Sequence, residues 1–175
     1  MHLIFINMKI IKELIPYVVI IVTVVLIRTF IITPVQVDGL SMYPTLKDNE
    51  ILLLKKYDKN YKRFDIVVLK YKNDKLIKRI IGLPGETVKF SDNKLYINDK
   101  IVEENFSKNT DTDDFDIKSL LSENETTIPE NTYFVMGDNR DNSTDSRIIG
   151  FIKKSDIEGT VDFALFPFNK FGKIK

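Results

Sequence analysis

The sequence predicts a mainly β domain carried behind one N-terminal transmembrane helix. Three observations lead there. Residues 14–32 form a nearly unbroken apolar run, interrupted only by Pro16, Thr23, Arg28 and Thr29. Directly after it the pattern changes to short β-type runs divided by turn residues. Two of those divisions, Ser91-Asp92-Asn93 and Asn98-Asp99-Lys100, place Asn and Asp where a tight hairpin needs left-handed backbone.

The apolar run comes first in the chain. At about 1.5 Å per residue, 19 residues span roughly 28 Å, close to the ~30 Å hydrocarbon core of a bilayer. Pro16 is expected in the first turn of this helix, where its missing N–H costs little. Arg28 lies near the far end, within reach of the headgroups by snorkelling. A buried core helix is the plainer alternative, but no 3.6-residue amphipathic period is visible. A cleaved export signal is another, but Thr29-Phe30-Ile31-Ile32-Thr33-Pro34 offers no small-x-small cleavage site. The reading is an uncleaved anchor at 14–32 behind a short cytoplasmic stretch at 1–13. Lys9 and Lys12 favour that orientation weakly, since Arg28 and Lys47 blunt the charge asymmetry. Met8 also reads as a natural start.

Residues 33–175 form the β domain. Strands are expected at 35–37, 51–54, 66–71, 76–83, 87–90, 94–97, 101–103, 132–136, 148–152 and 160–166, from β-branched and aromatic runs bounded by Gly, Pro, Asn and Asp. The stretch 104–129 is polar and acidic in its middle and reads as a surface insertion, with a short helix near 115–121. The insertion as a whole covers about 92–131.

Composition removes several chemistries. Lys and Arg number 26 against 25 Asp and Glu, so there is no basic excess of the kind a nucleic-acid binder carries, and no nucleic-acid partner is expected. There is no cysteine, which excludes disulfides, thiolate nucleophiles and cysteine zinc sites. The one histidine is His2, too early in the chain to serve a folded domain. A Ser-His-Asp triad therefore has no base to draw on. A hydrolase built on this chain must use Lys, Asp, Glu or Tyr.

Three segments concentrate polar chemistry. Asp38-Gly39-Leu40-Ser41-Met42-Tyr43-Pro44 brackets a serine between a glycine and a proline, which can hold it rigidly but is by itself an unspecific pattern. Lys78 begins Lys78-Arg79-Ile80-Ile81-Gly82-Leu83-Pro84-Gly85-Glu86, and strand alternation puts it on a face with Leu76 and Ile80. An amine held among aliphatic side chains loses the solvation of its charged form, so its pKa falls. A surface lysine covering apolar residues with its stem would look the same in sequence. Gly137-Asp138-Asn139-Arg140-Asp141-Asn142-Ser143-Thr144-Asp145-Ser146-Arg147 packs hydrogen-bonding groups between two apolar runs. As a calcium loop it fails, because Arg140 takes the third position from Asp138 and no glycine stands at the sixth. The same glycine test fails at Asp111-Thr112-Asp113-Asp114.

Taken together and in order behind an anchor, the segments 41–46, 65–68, 78–86 and 137–147 resemble the bacterial type I signal peptidases, and the resemblance runs from the anchor to about residue 159. It implies a serine endopeptidase with a β-rich catalytic core and a small β insertion. Ser41 would be the nucleophile and Lys78 the general base. Ser143 would hydrogen-bond the Lys78 amine, Asp145 and Arg147 would form a supporting ion pair, and Asp138 would help shape the same loop. The implied partners are signal-peptide-bearing preproteins and membrane lipid. The implied location is the bacterial cell membrane, single-pass, with the catalytic domain outside the cytoplasm. No cofactor or metal is implied, and no oligomeric state.

The chain departs from the family pattern at two points. In one branch a serine two residues before the nucleophile adds a donor to the oxyanion hole; that position is Gly39 here. A glycine often precedes Asp65, and Phe64 replaces it, which bears on the local turn. Other readings of the whole chain are a maturase serving one pilus or conjugation substrate, and an inactive anchored paralogue. Repressor autopeptidases share such a dyad but carry a DNA-binding domain where this chain has its anchor.

Overall fold

The computed structural model describes residues 2–106, 111–121 and 125–174, with side chains from residue 12 onward. Helix α1 runs His2–Phe30, and its stretch Lys12–Phe30 is long and apolar enough to cross a membrane while none of it is buried against the protein. A helix apolar on all sides with none of its span buried is no core helix. Pro16 is interior to this helix, not in its first turn. It forfeits the hydrogen bond to the carbonyl four residues back, a loss that membrane helices tolerate. The helix also stops two residues before the expected end of the anchor, because Ile32 already belongs to a strand.

The larger sheet is antiparallel throughout. It contains β1 (Ile32–Gln36), β2 (Ile51–Lys55), β3 (Ile66–Tyr71), β4 (Asp74–Gly82), β9 (Thr132–Met136), β10 (Ile152–Lys153), β11 (Ile157–Phe166) and β12 (Gly172–Lys173). Their order is β1-β2-β11-β3-β4-β9-β10, with β12 on β11. The smaller sheet has the order β7-β6-β5-β8, built from β5 (Val88–Ser91), β6 (Lys94–Ile97), β7 (Lys100–Val102) and β8 (Phe115–Asp116). Both Asn/Asp hairpins form as expected. Asp92 and Asn93, and then Asn98 and Asp99, all have positive φ between 50° and 60°, the backbone that two-residue antiparallel turns require.

Three apolar clusters hold the sheets. One gathers Met42, Leu46, Leu52, Leu54, Ile66, Val68 and Ile77. Another gathers Val67, Leu69, Ile80, Val135 and Ile157. Strand β3 feeds both, Ile66 and Val68 to one side and Val67 and Leu69 to the other, which is why it reads as a continuous apolar run. The third cluster joins Ile81, Phe134 and Met136 of the large sheet to Val88, Phe90, Leu95 and Ile97 of the small one. The small sheet thus begins before residue 92 and shares the domain core. Ile117 and Ile128, in the stretch expected to be surface, are fully buried in that cluster. The expected helix near 115–121 is a 3-10 turn at Ile117–Leu120, following β8 and capped by the Asp116 side chain.

One expected strand is a helix at its start. Residues 148–152 contain the end of α2 (Ser146–Ile149) and only then β10. The Asp145 carboxylate accepts from the Arg147 N–H at the N-terminus of α2, and Gly150, at φ 78°, ends it. These are ordinary start and stop signals, and they outweigh the β-branched isoleucines between them.

Candidate active site

Ser41 sits on a turn between β1 and β2. Gly39 has φ 87°, a conformation that costs glycine little, and its N–H donates to Asp48 at 2.9 Å. Tyr43 N–H donates to the Leu40 carbonyl at 3.0 Å and Leu46 N–H to the Met42 carbonyl at 2.9 Å. Met42 and Leu46 are each only 1% exposed, and burying two such side chains stabilises the turn by roughly 2–3 kcal/mol each. The serine is therefore mounted on the core and its turn cannot drift.

Lys78 arrives from β4, opposite Val67 of β3. On the other flank β9 pairs with β4 only from Arg79 onward, so β9 leaves the Lys78 position uncovered. The Lys78 Nζ donates to Ser41 Oγ at 2.7 Å, across 37 residues of sequence. Lys78 is 2% exposed, and burial pushes its pKa from 10.5 down to about 8, against the opposing pull of the Asp145 and Asp138 carboxylates. Desolvation wins over two nearby negative charges. The pair opens on a small cavity of about 50 Å³ lined by Val35, Gln36, Val37, Asp38, Met42 and Leu76 among others.

The loop after β9 closes the site. Asn139 N–H donates to the Ser41 carbonyl at 3.0 Å, and its side-chain amide donates to the Leu40 carbonyl at 3.1 Å. Any side chain at Gly137 would collide with that same Ser41 carbonyl and with Ser143 Oγ, so the loop, the Ser41 backbone and Ser143 converge there. Asp145 and Arg147 form the expected ion pair through two 2.9 Å contacts. Asp145 also accepts from Gly137 N–H at 3.0 Å. Ser143 does not hydrogen-bond Lys78 in this structure. Its Oγ is buried and, among the described residues, has no hydrogen-bond partner.

Two arginines escaped the sequence reading. Asp138 is held by Arg79, Nε to Oδ1 at 2.8 Å and Nη2 to Oδ2 at 2.6 Å, a bidentate pair with both side chains buried. Arg79 also donates to the Phe64 carbonyl at 2.9 Å and lies over the Phe106 ring. Arg140 donates to the Gly137 carbonyl at 3.1 Å, to Thr112 at 2.8 Å and to Glu104 at 2.5 Å, so the polar insertion buttresses the loop after β9. The one available signal for Arg79 is a second basic residue, beside Lys78, in the otherwise apolar run 76–83. For Glu104 there was none. Phe64 adopts φ 70°, a backbone that bulky residues rarely adopt, and its ring packs edge-on against Phe106 at 5.1 Å.

The family model described as "Signal peptidase, peptidase S26" matches residues 10–166. A signal peptidase I of Bacillus amyloliquefaciens is 44% identical over 163 residues, covering 89% of this chain and 87% of that protein. Signal peptidase I S of Bacillus subtilis (strain 168) is 44% identical over 162 residues, covering 87% of each. The crystal structure of a signal peptidase I from Enterococcus faecalis is 40% identical, with a TM-score of 0.52, and covers 58% of this chain and 96% of that one. A β-rich domain behind an apolar helix, with these matches over most of its length, belongs to the signal peptidases of peptidase family S26, a family of serine endopeptidases.

Proposed function

We propose that this chain removes N-terminal signal peptides from exported preproteins at the outer face of the cytoplasmic membrane, using Ser41 as nucleophile and Lys78 as general base. The observation that carries the reading is the 2.7 Å hydrogen bond between a buried Lys78 Nζ and Ser41 Oγ. Neutral Lys78 takes the hydroxyl proton as Ser41 Oγ bonds to the scissile carbonyl carbon. The negative charge that develops on the carbonyl oxygen meets the Ser41 N–H, which makes no hydrogen bond among the described residues. Such a donor is worth about 3 kcal/mol in the transition state. Protonated Lys78 then hands its proton to the leaving amine as the C–N bond breaks. A water deprotonated by the same amine cleaves the acyl-serine ester. Asp138 with Arg79, and Asp145 with Arg147, support the loop and spare Lys78 from pairing directly with a carboxylate.

The test is incubation of the purified full chain with a panel of preproteins, with cut sites mapped by mass spectrometry. Cleavage at the signal-peptide junction of several unrelated preproteins is the expected result. Cleavage of a single pilus-type substrate would favour the maturase reading. Ser41→Ala, Lys78→Ala and Lys78→Arg should each lower kcat by about 10³-fold or more, because dyad members act as one unit and a guanidinium does not deprotonate. Substantial turnover by any of the three would end the assignment.

A further inference from the structure

No linker separates the membrane helix from the catalytic domain. Helix α1 ends at Phe30 and β1 begins at Ile32. The single residue between them donates its N–H to the Ile27 carbonyl at 2.9 Å, completing the last helical turn. Lys56, just past the end of β2, bridges the joint. Its N–H donates to the Ile31 carbonyl at 2.9 Å, and its ammonium donates to the carbonyls of Arg28 at 3.3 Å and Thr29 at 3.2 Å. Thr33 Oγ1 donates to the Arg28 carbonyl at 2.6 Å. The carbonyls that a helix C-terminus leaves open are thus taken up by the domain, and a cation sits at the negative end of the helix dipole.

From this joint to the edge of the site the chain has no free stretch. All five residues of β1 pair in register with β2, from Ile32 opposite Lys55 to Gln36 opposite Ile51, and β2 is paired in turn with β11. Val35 and Gln36 of β1 then line the cavity beside Ser41 and Lys78. One strand is both the continuation of the anchor and a wall of the site.

We propose that the Lys56–Thr33 joint determines specificity by fixing the position of Ser41 relative to the bilayer, so that the enzyme selects preproteins by the number of residues between their apolar segment and the scissile bond. This rests on the function proposed above. Each extended residue added to that spacer moves the bond by about 3.3 Å, whereas a misplacement of about 1 Å at a reacting centre can cost about 10²-fold. A stapled joint cannot follow the displaced bond; a loose one can. Lys56 and Thr33 are positioning residues, acting through β1.

The experiment uses the full chain in phosphatidylglycerol/phosphatidylethanolamine vesicles. Substrates are one preprotein, versions with two or four alanines added before the cut site, and a soluble peptide spanning the cut. For the unaltered chain, four added alanines should lower kcat/KM by about tenfold or more. Four Gly/Ser residues inserted after Ile31 should shrink that penalty to about threefold or less, with peptide cleavage within about twofold of the unaltered chain. Lys56→Met should shrink it part way, and Lys56→Arg should restore it. An insertion variant that keeps the full penalty overturns the proposal, as does an unaltered chain indifferent to spacer length. If the insertion also abolishes peptide cleavage, Lys56→Met decides, and an unchanged penalty there overturns it. An unaltered chain that cuts neither preprotein nor peptide refutes the function on which the proposal rests.

Discussion

Replacing Lys78 by methionine should make the protein more stable while removing its activity. Burial holds the Lys78 pKa at about 8 against an ordinary 10.5. At about 1.36 kcal/mol per pH unit, that difference corresponds to roughly 3 kcal/mol by which folding is opposed when the amine must be charged. Below pH 8 lysine is protonated in both the folded and unfolded chain, and the folded state bears the whole cost. Between about pH 8 and 10.5 the folded amine is neutral while the unfolded one is still charged, and the cost fades. Above 10.5 neither is charged and it is gone. Methionine fills much the same volume without a charge, but it forfeits the 2.7 Å bond to Ser41, worth about 1 kcal/mol. The net gain near neutral pH is about 2 kcal/mol, or roughly 4–8 °C in Tm for a chain of this size. The assay is thermal unfolding of the unaltered chain and Lys78→Met in the same detergent, at pH 6.5, 8, 9.5 and 11. The advantage of the variant should be full at 6.5, shrink through the middle two and vanish or reverse at 11. A variant less stable at pH 6.5, or a difference that ignores pH, would refute the account of Lys78 as a desolvated amine.

The same titration should govern turnover: kcat/KM should climb about tenfold per pH unit below 7.5, bend near pH 8 and level off above 9. A profile flat from pH 5 to 10 would remove Lys78 from the limiting step. Ser143→Ala removes a buried hydroxyl that has no partner among the described residues, so it should raise stability by about 1 kcal/mol. If Ser143 orients the amine during turnover, the same variant lowers the plateau of the pH profile more than it moves the limb. An unchanged plateau would leave the residue no part in turnover. Protease added to wall-stripped cells should degrade the chain beyond Thr33, and protection of that region would overturn the proposed orientation.

How much the sequence determined follows from how local each cause is. The hairpins at Asp92-Asn93 and Asn98-Asp99 were legible because a tight turn is decided by the residues in it. The doubly buried β3 was legible as an unbroken apolar run, and the anchor as an apolar stretch of bilayer length. The absence of cysteine and the position of the single histidine narrowed the choice of base by composition alone. The pairing of Ser41 with Lys78 rested on resemblance, since no local rule joins residues 37 apart. Tertiary structure decided what depends on distant partners. Arg79 holds Asp138 across 59 residues, and Glu104, just past β7, braces Arg140 across 36 residues. Neither contact has a spacing to read, because a β topology sets neighbours by strand order. The helix at Ser146–Ile149 is masked in the sequence by its β-branched isoleucines, which read as strand although Asp145 caps one end and Gly150 closes the other. The lowering of the Lys78 pKa is likewise a property of the fold: alternation marked the side chain as facing apolar neighbours, but only packing to 2% exposure removes the water that would otherwise keep the amine charged.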